Sequence, residues 1–344
     1  MHDAAQPSNL RAIELHCVPI AMPPIPELNV DLDAPPERRW DGLSEWRQEG
    51  RELLKFYLRD LGGLDAFSSV LTGYRDDFVD PEYVAEMRSV ARILDAREEE
   101  VLLVNLYYDA LKLLLASPMG CTAFAVDTAG PPLHARNLDW TNADGRLAKS
   151  TVIVNFHRGE GAPLYRTVGW PGFVGCLSGV APGRFAITLN AVLSDDPPEL
   201  APPISLLLRR VLEKAETFDI AVATLRDTEV ASDGLLLVTG TRPGEMAVIE
   251  RTPTRAVVRG PKDGAIFVAN DYRALSSSPS AMTELTATSY GRYGHAERLV
   301  RANAPVDAES CLAVLRNGNV KMGITVQHMV FSAAQGTVVV ALPA

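Results

Sequence analysis

The chain of 344 residues has only four cysteines, at positions 17, 121, 176 and 311, and no two of them stand in a C-x-x-C spacing. So few thiols in so long a chain exclude a disulfide framework, and the spacing gives no support to a zinc cluster or a thioredoxin-like redox motif. Cys17, Cys176 and Cys311 read as reduced, buried, small apolar residues. Runs of basic residues are missing and the formal net charge is −10, which argues against a nucleic-acid surface. No stretch of about 18 uncharged apolar residues occurs, so no membrane span is expected, and only peripheral lipid contact stays open. The start, MHDAAQPSNLRAIELHCVPIAM, lacks a basic n-region followed by an apolar core and a small-residue cleavage site, and a cytoplasmic protein is expected. His134, His157, His295 and His328 are scattered, with no H-E-x-x-H pattern among them. Metal catalysis is therefore disfavoured, and without a Walker A or dinucleotide glycine pattern no organic cofactor is expected.

Apolar residues make up 47% of the chain, enough for one large core or two domains. The pattern divides near residue 120. Residues 42–115 read as mostly helical. WRQEGRELLKFYLRDLGGL has helical spacing and ends at Gly62-Gly63. Asp80-Pro81-Glu82 opens a second helix with proline at its first position, and Glu98-Glu99-Glu100 opens a third, VLLVNLYYDALKLLLAS, that is apolar nearly all round and so belongs in a core. After 120, strand patterns take over. TAFAVD and LHARNLDW form a hairpin across 129–132, followed by STVIVNFHR, LYRTVGW, FVGCLSGV and RFAITLNAV. The proline-rich loop DDPPELAPP leads to helices ISLLLRRVLEKAE and DIAVATLRD. The strands LLLVTG, MAVIER, RAVVRG and AIFVAN come next, then helices near 290–303 and 307–316, then a terminal hairpin. Runs of strands separated by runs of helices predict layered α+β, two mainly antiparallel sheets between helical layers.

Cys121 opens the first strand pattern, directly after Pro118-Met119-Gly120. A cysteine followed by a strand is badly placed for activation by a helix dipole. Activation by its own freed α-amine is the alternative, since an α-amine near 7.7–8.0 and a thiol near 8.5 are close enough for proton exchange at neutral pH. Gly120 leaves the preceding peptide sterically open to the thiol. The plain alternative is a core cysteine on a buried strand. Arg136 and Asp139 sit on the return arm of the hairpin, where an arginine would favour thiolate and an aspartate could hold a terminal ammonium; the plain alternative is a cross-strand ion pair. Asn190 and Asn270 each end an apolar strand, as turn residues or as donors to an oxyanion. Arg292 reads either as a helix-start arginine or as part of the same group.

Together these residues resemble a known family. Cys121, Arg136-Asn137-Leu138-Asp139, Gly172-Phe173-Val174-Gly175 and Leu189-Asn190 look like the acid ceramidase and N-acylethanolamine acid amidase group, which is related to choloylglycine hydrolases and penicillin V acylases. The likeness extends to Asn29 through Trp40 and to Glu86-Met87 through Asn105-Leu106-Tyr107-Tyr108-Asp109, and it is patchy over 195–265. The resemblance implies the four-layer αββα sandwich of N-terminal nucleophile (Ntn) hydrolases with a helical N-terminal pro-region. It implies a cut between Gly120 and Cys121, with 1–120 retained as an α subunit and 121–344 as the catalytic domain. Cys121 would then be nucleophile and base, with Arg136 and Asp139 supporting it, Asn270 and the Asn190 region lining an oxyanion hole, and Arg292 completing the site. Two departures stand out: Ala191 where the group tends to have glutamate, and Asn270-Asp271-Tyr272 where it has Asn-Tyr-Asp. They point away from a lysosomal, ceramide-specific enzyme and toward a different acyl amide.

The expected activity is hydrolysis of a linear N-acyl amide through an acyl-thioester on Cys121. The apolar third helix and the loop at 195–203 are candidates for an acyl-chain pocket. Transfer of the acyl group to an amine, an unprocessed acyl-amide binding protein and a papain-like thiol enzyme using a histidine are the competing expectations.

Overall fold

The computed structural model describes residues 24–65, 67–113, 119–127, 130–140, 145–275 and 284–343. Cys17 and Pro118 lie outside them, as does the far end of the expected third helix.

Two sheets form the centre. The larger runs β1 (Glu27–Asp31), β4 (Val152–His157), β5 (Tyr165–Gly169), β6 (Ser178–Ala181), β7 (Phe185–Asn190), β8 (Gly234–Thr239), β9 (Met246–Arg251) and β10 (Ala256–Arg259). The smaller runs β11 (Ala265–Val268), β2 (Met119–Val126), β3 (Leu133–Trp140), β12 (Thr325–Ser332) and β13 (Thr337–Ala341). Every pairing is antiparallel except that of β1 with β4. The sheets stack through β2, β3 and β12 against β6, β7 and β8. The short α6 (Arg146–Lys149) follows β3, helices α7 (Ile204–Lys214) and α8 (Phe218–Asp227) cover the larger sheet, and α9 (Glu284–Ala302) and α10 (Ala308–Leu315) cover the smaller. The result is the expected αββα order.

Strand alternation sorts the side chains of the smaller sheet. Ala123 and Ala125 join Leu235, Leu237 and Val248 in the apolar layer between the sheets. Phe124, Val126 and Ala135 face the other way, against Ala296, Cys311 and Leu312 of the outer helices. Period-two alternation with both faces covered explains why β2 is buried from Gly120 to Val126.

The segment before residue 119 holds α1 (Arg47–Asp60), α2 (Ser68–Phe78), α3 (Pro81–Leu94), α4 (Glu98–Asn105) and α5 (Tyr107–Leu113). Asp80 caps α3 by accepting from the Glu82 amide at 3.0 Å, with Pro81 at the first position as expected. Three features depart from the sequence reading. The stretch between Gly63 and Asp80, assigned no element, forms α2. The expected third helix is broken at Leu106. Asn105 turns its side chain to a tertiary task there: Nδ2 donates to the carbonyls of Val101 and Gly172, and Oδ1 accepts from the Val174 amide. That clamp holds residues 171–174 in a turn, with Gly172 at φ 89°, so the strand expected from Phe173 begins only at Ser178. Finally, this helical segment contributes a strand, β1, whose Leu28 and Val30 are buried while their neighbours are exposed.

A buried charge cluster ties this segment to the rest. The Glu86 carboxylate of α3 accepts from Arg39 Nη1 at 3.0 Å, Trp40 Nε1 at 2.8 Å and Arg209 Nη2 of α7 at 2.8 Å. Arg209 lies between the rings of Tyr83 and Phe156, 4.6 and 4.7 Å from their centroids. Burial alone would raise the Glu86 carboxyl, but the charge and hydrogen bonds of Arg209, with those of Trp40 and Arg39, outweigh it and hold the group below its ordinary value.

Glu86→Gln keeps the shape and removes the charge, leaving the buried Arg209 guanidinium without the carboxylate it pairs with, while Arg39 keeps Glu82. A loss of about 3–5 kcal/mol in denaturant unfolding is expected at neutral pH. Because the folded carboxyl titrates below the ordinary 4.5, its stabilisation is full above that pH and fades as pH falls through the lower folded value. The gap between native and variant protein therefore closes in acid. A gap that stays constant down to about pH 3 would count against this account.

Candidate active site

The β2–β3 register places the central pair. Cys121 stands opposite Leu138 and Ala123 opposite Arg136, so Arg136 is the diagonal neighbour of Cys121 on the face between the sheets. Its Nη2 lies 3.1 Å from Cys121 Sγ. The other guanidinium bonds go to the Leu177 carbonyl at 2.9 Å, the Ser178 hydroxyl and the Leu189 carbonyl. Ends of β6 and β7 thus fix Arg136, and Arg136 offers a charge-assisted hydrogen bond to the thiol.

Asp139 lies three residues further on, hence on the opposite face of β3. It pairs directly with Gly120. Thr325 donates to its Oδ1 at 2.5 Å, and Oδ2 has no hydrogen-bond partner among the described residues. Burial raises its carboxyl above the usual range, against the pull of the Thr325 hydroxyl, Arg292 and Arg136.

β11 pairs with β2, Val268 opposite Ala123, so Asn270 just beyond the strand comes level with Cys121. Its Oδ1 accepts from the Cys121 amide at 3.1 Å and from Arg292 Nη2 at 2.7 Å. Its Nδ2 donates to the Ala191 carbonyl at 2.7 Å, and its own amide donates to Ser289 Oγ at 2.8 Å. From α9, Arg292 Nη1 also reaches the Cys121 carbonyl at 2.5 Å and Thr122 Oγ1 at 2.7 Å. Burial pulls this guanidinium below its ordinary value while Asp139, Cys121 and Asp271 favour its charge. Asn190 ends β7 and donates through Nδ2 to the carbonyls of Val268 and Ala269, at 3.3 and 3.0 Å, stitching the two sheets together.

The structure thus gathers Gly120, Cys121, Arg136, Asp139, Asn190, Asn270 and Arg292 at one end of the stacked sheets. Cys121 is 1% exposed. Asn190 differs from the expectation in one respect: its side-chain amide is already committed to β11, and the atom left without a partner is the acceptor Oδ1. Ser178, Ser289, Thr122 and Thr325 were not legible in advance. Each is a hydroxyl on a separate element that becomes relevant only through strand register or helix packing.

Cys176 and Cys311 are the other described cysteines. Burial pushes the Cys176 and Cys311 thiols up to about 12, which fits inert core residues. None of the histidines hydrogen-bonds Cys121 among the described residues. His134 sits between Thr188 and Thr239, and burial, with Arg136 second, lowers it to about 3. His328 pairs with Asn137.

Residues 127–344 match the acyl-coenzyme A:6-aminopenicillanic acid acyl-transferase family. Among curated proteins, the chain is similar to acid ceramidase of Balaenoptera acutorostrata scammoni, at 25% identity over 71% of this chain and 69% of that one. It is 30% identical to the N-acylethanolamine-hydrolyzing acid amidase of Mus musculus over 66% of this chain and 64% of that protein. Its length thus spans about two thirds of these relatives. Among solved structures, the Caenorhabditis elegans N-acylethanolamine-hydrolyzing acid amidase ortholog superposes with a TM-score of 0.53 at 24% identity, covering 62% of this chain and 93% of that one. That likeness carries the αββα Ntn-hydrolase fold. The chain belongs to the acyl-coenzyme A:6-aminopenicillanic acid acyl-transferase family and is a relative of acid ceramidases and of amidases that hydrolyse N-acylethanolamines.

Proposed function

We propose that this protein is a self-processing amide hydrolase in which Cys121 is the nucleophile. One observation carries the reading: a thiol 3.1 Å from Arg136 Nη2 belongs to a residue whose own amide nitrogen is held 3.1 Å from Asn270 Oδ1, directly after a glycine. Nucleophile and nitrogen are both fixed by buried polar groups that a merely structural cysteine does not need.

In processing, Cys121 Sγ attacks the Gly120 carbonyl carbon. The Gly120–Cys121 C–N bond breaks, the thiol proton ends on the departing nitrogen, and a thioester forms. Water then hydrolyses the thioester, leaving a carboxylate on Gly120 and a free thiol and amine on Cys121. Residues 1–120 stay in place as an α subunit, and 121–344 form the catalytic unit. Asp139, opposite the cut with Oδ2 unpaired among the described residues, would hold the new ammonium.

In turnover, the thiol attacks the carbonyl of a linear N-acyl amide and its proton passes to the α-amine. The oxyanion is stabilised by Asn270 and by the backbone of the Asn190 region, since the Asn190 side-chain amide is taken. The α-amine returns the proton to the leaving amine, and water resolves the acyl-thioester. The curated relatives, one named as hydrolysing N-acylethanolamines, favour an acyl amide of this kind. The family match to an acyl-transferase supports a second reading, in which an amine in place of water takes the acyl group. Added amine acceptors would then change the product.

On incubation, the native chain is expected to yield two species by intact mass, the second beginning Cys-Thr-Ala-Phe. Cys121→Ala should remain one full-length species with no amide hydrolysis and an unchanged far-UV spectrum. Splitting of the alanine protein would end the proposal. For Asn270→Ala, assayed on processed material, kcat should fall about 100- to 1000-fold with KM little altered, as for loss of one oxyanion donor. An unaffected kcat would remove Asn270 from that role.

A further inference from the structure

A second polar feature lies apart from the Cys121 cluster. A cleft of about 90 Å³ opens between α2, the α4–α5 pair and the proline-rich loop 195–203. Its walls are apolar, including Leu71, Leu103 and Leu106, and its rim carries Val70 and Leu200, which are 58% and 75% exposed. Apolar side chains so open to solvent at the mouth of an apolar cleft mark a ligand groove more often than plain surface.

Within these walls lies one buried carboxylate. Asp109 of α5 is 7% exposed and lines the cleft. Its Oδ1 accepts from the Ile204 amide at 3.2 Å and from the Ser232 hydroxyl. Its Oδ2 has no hydrogen-bond partner among the described residues. A buried carboxylate oxygen without a donor is costly, and a native structure that keeps one invites a missing partner. Besides Asp109 the lining holds one acidic residue, Glu199, and no Lys, Arg or His. The chemistry that completes the site is an N–H donor bearing positive charge at the end of an apolar chain.

We propose that this cleft binds a primary alkylamine, the ammonium on Asp109 Oδ2 and the chain along Leu103, Leu106 and Leu71. The assignment does not depend on the Cys121 chemistry. It gives the third helix and the proline-rich loop a ligand of different polarity from the acyl chain that the sequence led us to expect there.

Calorimetric titration of the full chain with hexylamine, hexanol and hexanoate tests it. Hexylamine should bind about tenfold tighter than hexanol, the scale of one charge-assisted hydrogen bond, and hexanoate should bind least. The same order is expected in Cys121→Ala, so failure of the proposed catalysis leaves this result untouched. In Asp109→Asn the amine preference should disappear. Equal affinities for the three compounds, or a preference that survives in Asp109→Asn, would overturn the assignment. Should that variant not fold, Leu200→Lys at the exposed rim decides. A cation there should weaken hexylamine and strengthen hexanoate severalfold, and affinities unchanged for both compounds would refute the site.

Discussion

The pairing register of β2 with β3 is the constraint on which the site depends. Cys121 opposite Leu138 and Ala123 opposite Arg136 put the thiol and the guanidinium on one face. Gly120 opposite Asp139 puts the preceding residue and the acid on the other. The Gly120–Cys121 peptide bond therefore lies between a cation on the inter-sheet side and a carboxyl on the helix side. A slip of one residue would exchange the two faces. The apolar residues of β2 guard against that slip: Ala123 and Ala125 fit the space between the sheets, where Phe124 would not, and Phe124 fills the space beneath the outer helices. The packing that makes the sandwich and the placement that makes the site are one arrangement.

Burying this much charge needs many partners, and the partners come from strand and helix ends. Arg136 is held by the carbonyls of Leu177 and Leu189, and Arg292 by the Cys121 carbonyl, Thr122 and Asn270. A carbonyl has two lone pairs, so the Leu177 carbonyl accepts from the Leu189 amide and from Arg136 at once, and the guanidinium is bound without orphaning the sheet. Three atoms in the cluster keep no partner among the described residues: Arg136 Nε, Asp139 Oδ2 and Asn190 Oδ1. Unpaired groups concentrated around one thiol are expected where chemistry supplies the missing partner, and uncommon in a core that serves only stability.

Much of this was legible in the sequence because the period-two pattern is strong in the strands and the turns are marked by glycine and proline. The hairpin opening at Cys121, the turn at Gly183 and the cap at Asp80 all follow from local chemistry. What was missed depends on distant partners. Asn105 reads as an ordinary helical residue until the 172–174 turn arrives, its Gly172 carbonyl accepting from Asn105 and its Val174 amide donating to it. The pattern ELNVD is too short to announce a strand without the parallel edge that β4 offers it. The site residues were named because a resemblance tied them together. A spacing of three in a strand already puts Arg136 and Asp139 on opposite faces, but which of them shares the face of Cys121 follows only from the register. The supporting hydroxyls carry no sequence signal, since serine and threonine are too common to single out.

The proposed cut has an electrostatic direction. Before it, Gly120 and Asp139 share a ladder position and one buried carboxyl. After it, the Gly120 end would carry a carboxylate beside Asp139, and the Cys121 end an ammonium that the same acid would attract. Like charges directly opposite one another in a ladder repel, while the ammonium and Asp139 attract. The new carboxyl terminus would therefore leave the strand, and the new amino terminus would stay. The rest of the N-terminal segment cannot follow, because β1 is hydrogen-bonded into the larger sheet and Glu86 is the counter-ion of Arg209. Removing the segment would take from Arg209 both its counter-ion and the Tyr83 ring packed on it. One broken bond would thus release the Gly120 terminus from β2 while the two pieces stay joined through β1 and Glu86.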